Sequence, residues 1–187
     1  MKNSKIRSIF ILLMVIFGFG VQNALACRCV LVDESINSFA ERAFGRSSAV
    51  FVAKVVGFEF RKGIPGSEFM SRDPLLADPN KFQTKVVKLE FERIWKGRVS
   101  KLVFATDELK TDSGMTFSSS CDFNFEAGAR YIIFADESKG VLRTNVCSGT
   151  RKLTGSDDEK AILDYIGSLC LPDDPDEPRL QSLLINY

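Results

Sequence analysis

Five short apolar runs of strand character, with one helical pattern ahead of them and one behind, limit what this chain can fold into. Residues 48–60 hold Val50, Phe51, Val52, Val55, Val56 and Phe58, the composition of a strand buried over most of its surface. Val87, Leu89 and Phe91 alternate with Lys88, Glu90 and Glu92, so that run turns one face to a core and one to water, and it ends at Trp95, Lys96 and Gly97. Further strands are predicted over 101–105, over 129–135 after a turn at Gly128, and over 141–146, the last two joined by a turn at Ser138, Lys139 and Gly140. In front, residues 33–44 place Ile36, Phe39, Ala40, Ala43 and Phe44 at helical spacing, with Asp33 as cap and Gly45 as stop. Behind, Ser156 and Glu159 form a capping box ahead of Ile162, Leu163, Ile166 and Leu169 on one helical face.

Without βαβ alternation these elements predict an all-β domain with flanking helices: a small five-stranded antiparallel barrel, closed or nearly so, with one helix before it and one after. An immunoglobulin-like sandwich needs about seven strands and a Trp buried between paired cysteines, whereas Trp95 marks a strand end. The sixteen phenylalanines, at strand spacing, read as core rather than as a ligand pocket. Residues 61–82 carry Gly63, Pro65, Gly66, Pro74 and Pro79 and read as an exposed connection between two strands, with a binding arm the equal alternative.

The start of the chain bears on compartment. Lys2, Lys5 and Arg7 precede an apolar run over 9–21, followed by Ala24, Leu25 and Ala26, the three parts of a secretory signal peptide. The run is short for a bilayer crossing. Processing after Ala26 gives a leader over 1–26, a domain over 27–170 and an acidic, proline-rich tail over 171–187, with a mature chain that is secreted or periplasmic and begins at Cys27. The alternative is lipoprotein processing with acylation of Cys27, which makes the protein a lipid-anchored envelope component with a structural or interaction role; a membrane is a partner only in that case. Cys27, Cys29, Cys121, Cys147 and Cys170 then enter an oxidising compartment, where disulfides are the expected outcome. Four cysteines allow three pairings, and spacing does not choose among them. Cys170, between Leu169 and Leu171, is expected to be buried and inert.

Several chemistries are disfavoured. The leader removes three of 25 basic residues and none of 24 acidic ones, leaving a net charge of −2, too acidic for nucleic acid to be an expected partner. The chain has no histidine, which removes histidine-based triads and histidine-ligated metal sites. Asp157 with Asp158, and Asp173 with Asp174, lie at a helix start and in the tail and read as solvated charge. No enzymatic activity and no cofactor is expected.

Cys27, Arg28 and Cys29 at a mature terminus resemble the Cys-x-Cys start of the netrin-like module found in tissue inhibitors of metalloproteinases and their bacterial relatives. Four stretches match that family in order: 48–55, 93–97, Ser120 and Cys121 leading to 128–135, and 143–148. Together they span nearly the whole mature chain as one domain. The resemblance implies an oligonucleotide-binding-type barrel and disulfides pairing Cys27 with Cys121 and Cys29 with Cys147. In the animal inhibitors the α-amino group and carbonyl of the first cysteine chelate the catalytic zinc of the target enzyme. By resemblance Cys27 supplies those atoms here and touches metal only in that sense. Arg28 enters the pocket beside the zinc, and Cys29, Val30 and residues 118–122, including Ser120 and Asp122, form the rest of the ridge. The implied partner is an extracellular or envelope protein, in the sharpest case a zinc metalloprotease. Arg28 stands where those inhibitors carry Thr or Ser, so its pocket would have to be deep or acidic.

Overall fold

The computed structural model describes residues 29, 35–67, 76, 78–99 and 102–169. The leader, Cys27, Arg28, Val30, Asp33, Cys170 and the tail lie outside the described residues. The domain is mostly β, with helix α1 (Ile36–Arg46) before the strands and α2 (Asp157–Leu169) after them. Between them run β1 (Ala49–Arg61), β2 (Gln83–Lys96), β3 (Val103–Lys110), β4 (Thr116–Phe117), β5 (Arg130–Ser138), β6 (Val141–Arg143) and β7 (Arg151–Lys152).

β1 organises the sheet because it is paired on both edges. It runs antiparallel to β2 from Val50↔Lys96 to Arg61↔Thr84, and its first half runs antiparallel to β5 from Ala49↔Ala135 to Lys54↔Arg130. Three register shifts along β1–β2 mark bulges, which bend and twist a long strand pair. β2 continues to β3 antiparallel, and β3 meets β6 in a parallel pairing, Val103↔Val141 and Phe104↔Leu142. β6 returns to β5 as a hairpin with Ser138 opposite Val141, so the pairings run β1-β2-β3-β6-β5 and back to β1. The ring is uneven, with long ladders at β1–β2 and only two residue pairs at β3–β6.

Two features depart from a five-stranded antiparallel barrel: among the described residues the sheet has seven strands, and it is mixed. The additional strands, β4 against β3 and β7 against β5, are two residues each, too short for an alternating pattern to show. The parallel seam joins segments whose apolar residues carry no mark of direction. β2 begins four residues before Val87, and β3 runs on through Asp107 and Glu108. The two-residue turn forms as expected, with Lys139 and Gly140 both at positive φ (53° and 76°), the backbone of a hairpin turn whose twist matches its strands.

The apolar runs in β1 and β5 are continuous because both faces are covered. Ala49, Phe51, Ala53 and Val55 point into the core inside the ring with Val87, Phe104, Phe125, Tyr131, Ile133 and Leu142. Val50, Val52, Ile132 and Phe134 point outward, where Ala40 and Ala43 of α1 and Ile162 and Ile166 of α2 cover them. Phenylalanines dominate the inner core through edge contacts, such as Phe51 to Phe91 at 5.2 Å and Phe104 to Phe125 at 5.5 Å between centroids. Tyr131 is fully buried, and its hydroxyl accepts from the Glu126 amide at 2.9 Å.

Both helices are capped by local side chains. Ser35 caps α1, its hydroxyl accepting from the Ser38 amide, and the helix continues past Gly45 to Arg46, where the Ser47 hydroxyl donates to the Ala43 carbonyl. The capping box of α2 forms: Glu159 accepts from the amides of Thr154, Gly155 and Ser156 while its own amide donates to Ser156 Oγ. Burial raises the Glu159 carboxyl, but those donors outweigh it and hold the group below its ordinary value.

The Trp95, Lys96 and Gly97 sequence has a packing role. Trp95 lies against the outer core with the Arg93 guanidinium 4.8 Å above its ring. Lys96 Nζ donates to the Phe44 carbonyl at 2.9 Å, placing a cation at the negative end of α1. Gly97 is at φ 86°, and a Cβ there would come within 2.7 Å of the Ser48 carbonyl oxygen and 2.9 Å of Ala49 Cβ. Gly97→Ala is therefore expected to cost about 1–3 kcal/mol from the backbone conformation, with the clash adding to it. Urea denaturation with an unchanged slope and a lowered midpoint is the expected result.

Candidate functional site

The candidate site forms where the start of the domain meets the second half of the chain. Cys29 and Cys147 are joined in a disulfide with Cα atoms 5.2 Å apart, across 118 residues of sequence. Cys147 sits at the tip of the segment that follows β6, and hydroxyl groups staple the base of that segment to β5. Thr144 Oγ1 donates to the Phe134 carbonyl at 2.8 Å, and the Phe134 amide donates to Thr150 Oγ1 at 2.9 Å. At the tip the Cys147 amide donates to Asn145 Oδ1 at 2.8 Å. Gly149, at φ 99°, lets the segment pass so close to α1 that a Cβ there would come within 2.9 Å of the Phe39 ring.

The stretch 118–123 lies beside this tip. The Val146 amide donates to the Cys121 carbonyl at 3.0 Å, and Asp122 and Asn145 form an isolated antiparallel bridge. The Ser119 hydroxyl accepts from the Cys121 amide and its carbonyl accepts from the Asp122 amide, which makes a compact turn. Cys121 is also disulfide-bonded. Of the residues expected on a binding ridge, Cys29, Ser120 and Asp122 are thus gathered at one edge. Ser120 is exposed and Asp122 is half-buried. Cys27, Arg28 and Val30 lie outside the described residues. Val146, exposed beside Cys147, adds an apolar surface to the same edge.

Behind Asp122 lies a polar cluster absent from the expected site. Arg143 of β6 reaches between β3 and the loop after β1: its Nη2 donates to the Pro65 carbonyl at 2.5 Å, and its Nε lies 3.4 Å from Asp107 Oδ1. Both side chains are largely buried, 12% and 19% exposed. The contact is charge attraction without hydrogen-bond alignment, since Asp107 Oδ1 and Arg143 Nε and Nη1 are buried with no hydrogen-bond partner. Burial pulls the Arg143 guanidinium down, and Asp107 and Asp122 oppose that shift. Asp122 accepts from the amide of Phe123 at 3.0 Å and from that of Asp107. Burial, aided by the charges of Asp107 and Glu108, nonetheless pushes its carboxyl up to about 6. Glu108 is paired with Lys85 of β2 at 2.7 Å.

The start of the β1–β2 loop is anchored rather than free. Besides Pro65, Lys62 pairs with Asp112 at 2.9 Å, the Gly63 amide donates to the Pro79 carbonyl, and Thr84 Oγ1 donates to the Ile64 carbonyl. Reading the sequence missed this cluster because Asp107 lay past the end of the strand predicted over 101–105 and because only the β3–β6 pairing brings it to Arg143.

Among the described residues no group of three or more Cys, Asp or Glu side chains is arranged to hold a metal ion, and no helix is long and apolar enough to cross a membrane. No protein-family model matches this chain, and no curated protein matches it.

Two outcomes follow from this geometry. Cys147→Ser opens a loop of 118 residues and is expected to lower unfolding free energy by about 4–5 kcal/mol on the chain-entropy account, read from denaturant titrations without reductant. Asp122 keeps its proton in the folded state up to about pH 6, whereas the ordinary carboxyl value is 3.8. The folded protein therefore binds the extra proton, and this group's contribution to stability falls as pH rises between those values. Asp122→Asn keeps an acceptor for the Phe123 amide without the charge. Calorimetry from about pH 4 to 8 is expected to show a flatter profile for the variant and a higher unfolding temperature at the alkaline end.

Proposed function

We propose that this chain is an exported, disulfide-bonded module of the netrin-like type that acts by binding another protein, in its sharpest form by inhibiting a zinc metalloprotease through Cys27. The observation that carries the reading is the pinning of Cys29 to Cys147 beside the 119–122 stretch. It brings together two segments, far apart in sequence, that such a ridge requires. The order β1-β2-β3-β6-β5 with a parallel β3–β6 seam supports a partly open barrel of the oligonucleotide-binding type, with β4 and β7 as additions to it. The disulfide fits an oxidising compartment and so an exported chain.

On this reading the α-amine of Cys27 is the chelating group. An α-amine has a pKa of about 8, loses its proton readily beside a metal, and displaces the zinc-bound water together with its own carbonyl oxygen. Anchoring Cys29 to the sheet limits the ordering entropy lost when the adjoining terminus binds. Arg28 enters the enzyme's pocket and selects for a deep or acidic one. Fold type alone does not confer inhibition, so the assignment rests on the terminus and the edge it joins.

The deciding experiment is the intact mass of the protein from its native host, before and after reduction, with Cys27 mapped by peptide sequencing, followed by assays against zinc metalloproteases. A free Cys27 amine, inhibition abolished by acetylating that amine, and an altered enzyme preference for Arg28→Thr are the expected results. An acylated Cys27 would end the chelation reading and leave a lipid-anchored envelope protein. A free amine without inhibition of any metalloprotease would leave only the broader protein-binding role.

A further inference from the structure

β1 has strands on both edges only along its first half. The ladder to β5 ends at Lys54↔Arg130, and the last backbone bonds on that side join Val55 to Gly128 and Ala129. Beyond the register shift after Val55, β1 pairs with β2 alone, from Gly57↔Lys88 to Arg61↔Thr84 without a further shift. Among the described residues no strand pairs with its other edge there, where Arg61 is exposed and residues 57–60 are half-buried. A regular, unpaired edge is a template for another strand, and chains ordinarily blunt one with like charges, proline or a bulge. Here the bulge lies ahead of the free run, and no proline interrupts it. Its charges, Glu59 and Arg61, are of opposite sign and share one face of the strand, with Phe60 between them on the other.

That spacing is self-complementary. In an antiparallel pair related by a two-fold axis, residues equally far from the axis on its two sides face each other. With the axis at Phe60, Glu59 of each copy stands opposite Arg61 of the other on one face, and Phe60 meets its own counterpart on the opposite face. We propose that the free edge of β1 pairs in this register with the same edge of a second copy, joining the two sheets into one. Within a single chain Glu59 already contacts Arg61 and lies 2.8 Å from Lys88 Nζ. In the pair each Glu59 sits between Arg61 of its own chain and Arg61 of the second copy, so the charges alternate in sign along the seam. Phe60 is steadied by Lys110, whose Nζ reaches over its ring at 5.3 Å from β3, on the side of β2 away from the edge. The ladder is short, so the association is weak and rises with concentration. It goes beyond the proposed function and needs neither Cys27 nor a zinc enzyme.

Sedimentation velocity on the full chain tests it, at concentrations reaching about 1 mM. The average mass is expected to climb toward that of a dimer, and amides within 57–61 are expected to gain hydrogen-exchange protection over the same range. Glu59→Arg and Arg61→Glu each set like charges across the seam and are expected to weaken the dimer by about tenfold or more. Mixed in equal amounts, the two variants are expected to associate with each other, because one presents arginine at both positions and the other glutamate. Mixing cannot restore an ion pair inside one chain, so this readout separates the seam from a local effect on β1. A chain that stays monomeric at the highest concentration overturns the proposal. A dimer that both substitutions leave intact overturns it as well, since the interface would then lie elsewhere, and variants that stay apart when mixed overturn the register. Should either variant fail to fold, the unmodified chain decides through exchange: protection at 57–61 that does not change with concentration overturns the pairing.

Discussion

The first half of β1 is hydrogen-bonded on both edges and packed with apolar side chains on both faces, and the other elements take their positions from it. Its odd-numbered residues from Ala49 to Val55 fill the inside of the ring, while Val50 and Val52 seat the two helices. Burying a strand on both sides removes far more apolar surface from water than a half-exposed strand does, at about 25 cal/mol per Å². The same double burial leaves no room for change in register, since a slip by one residue would exchange the inner and outer sets. Helix α1, which leads into β1, is held against the sheet partly by Lys96 from the far end of β2.

The strongest elements were legible in the sequence for this reason. Continuous apolar runs at β1 and β5, alternation in β2, the Lys139 and Gly140 turn and the Ser156 and Glu159 box each carry a local signal, and each appears where its residues place it. What escaped was non-local. Nothing in Val103 and Phe104, or in Val141 and Leu142, says that they pair side by side in parallel. β4 and β7 exist because neighbouring strands hold them, and two residues have no period to read.

The candidate site divides along the same line. The Cys29–Cys147 pairing was anticipated only through resemblance to a family, because spacing alone left three pairings open. Arg143 entered the sequence reading as part of a matching stretch, without a partner. Its place beside Asp107 depends on β3 running past Ala105 and on the parallel seam, and neither is visible from side-chain type. Asp122 was read as surface, and its ties to β3 give it a buried half as well.

The 118-residue reach of the Cys29–Cys147 bond bears on how the molecule is made. A chain that emerges amino end first presents Cys121 to Cys29 before Cys147 has appeared, so the nearer thiol is the first one on offer. In the folded chain β5, β6 and the segment stapled at Thr144 and Thr150 hold Cys147 beside Cys29, so any earlier bond from Cys29 to Cys121 would have to be exchanged through a mixed disulfide. Covalent closure across so long a loop therefore leans on closure of the sheet, and conditions that let thiols exchange serve it better than oxidising power alone.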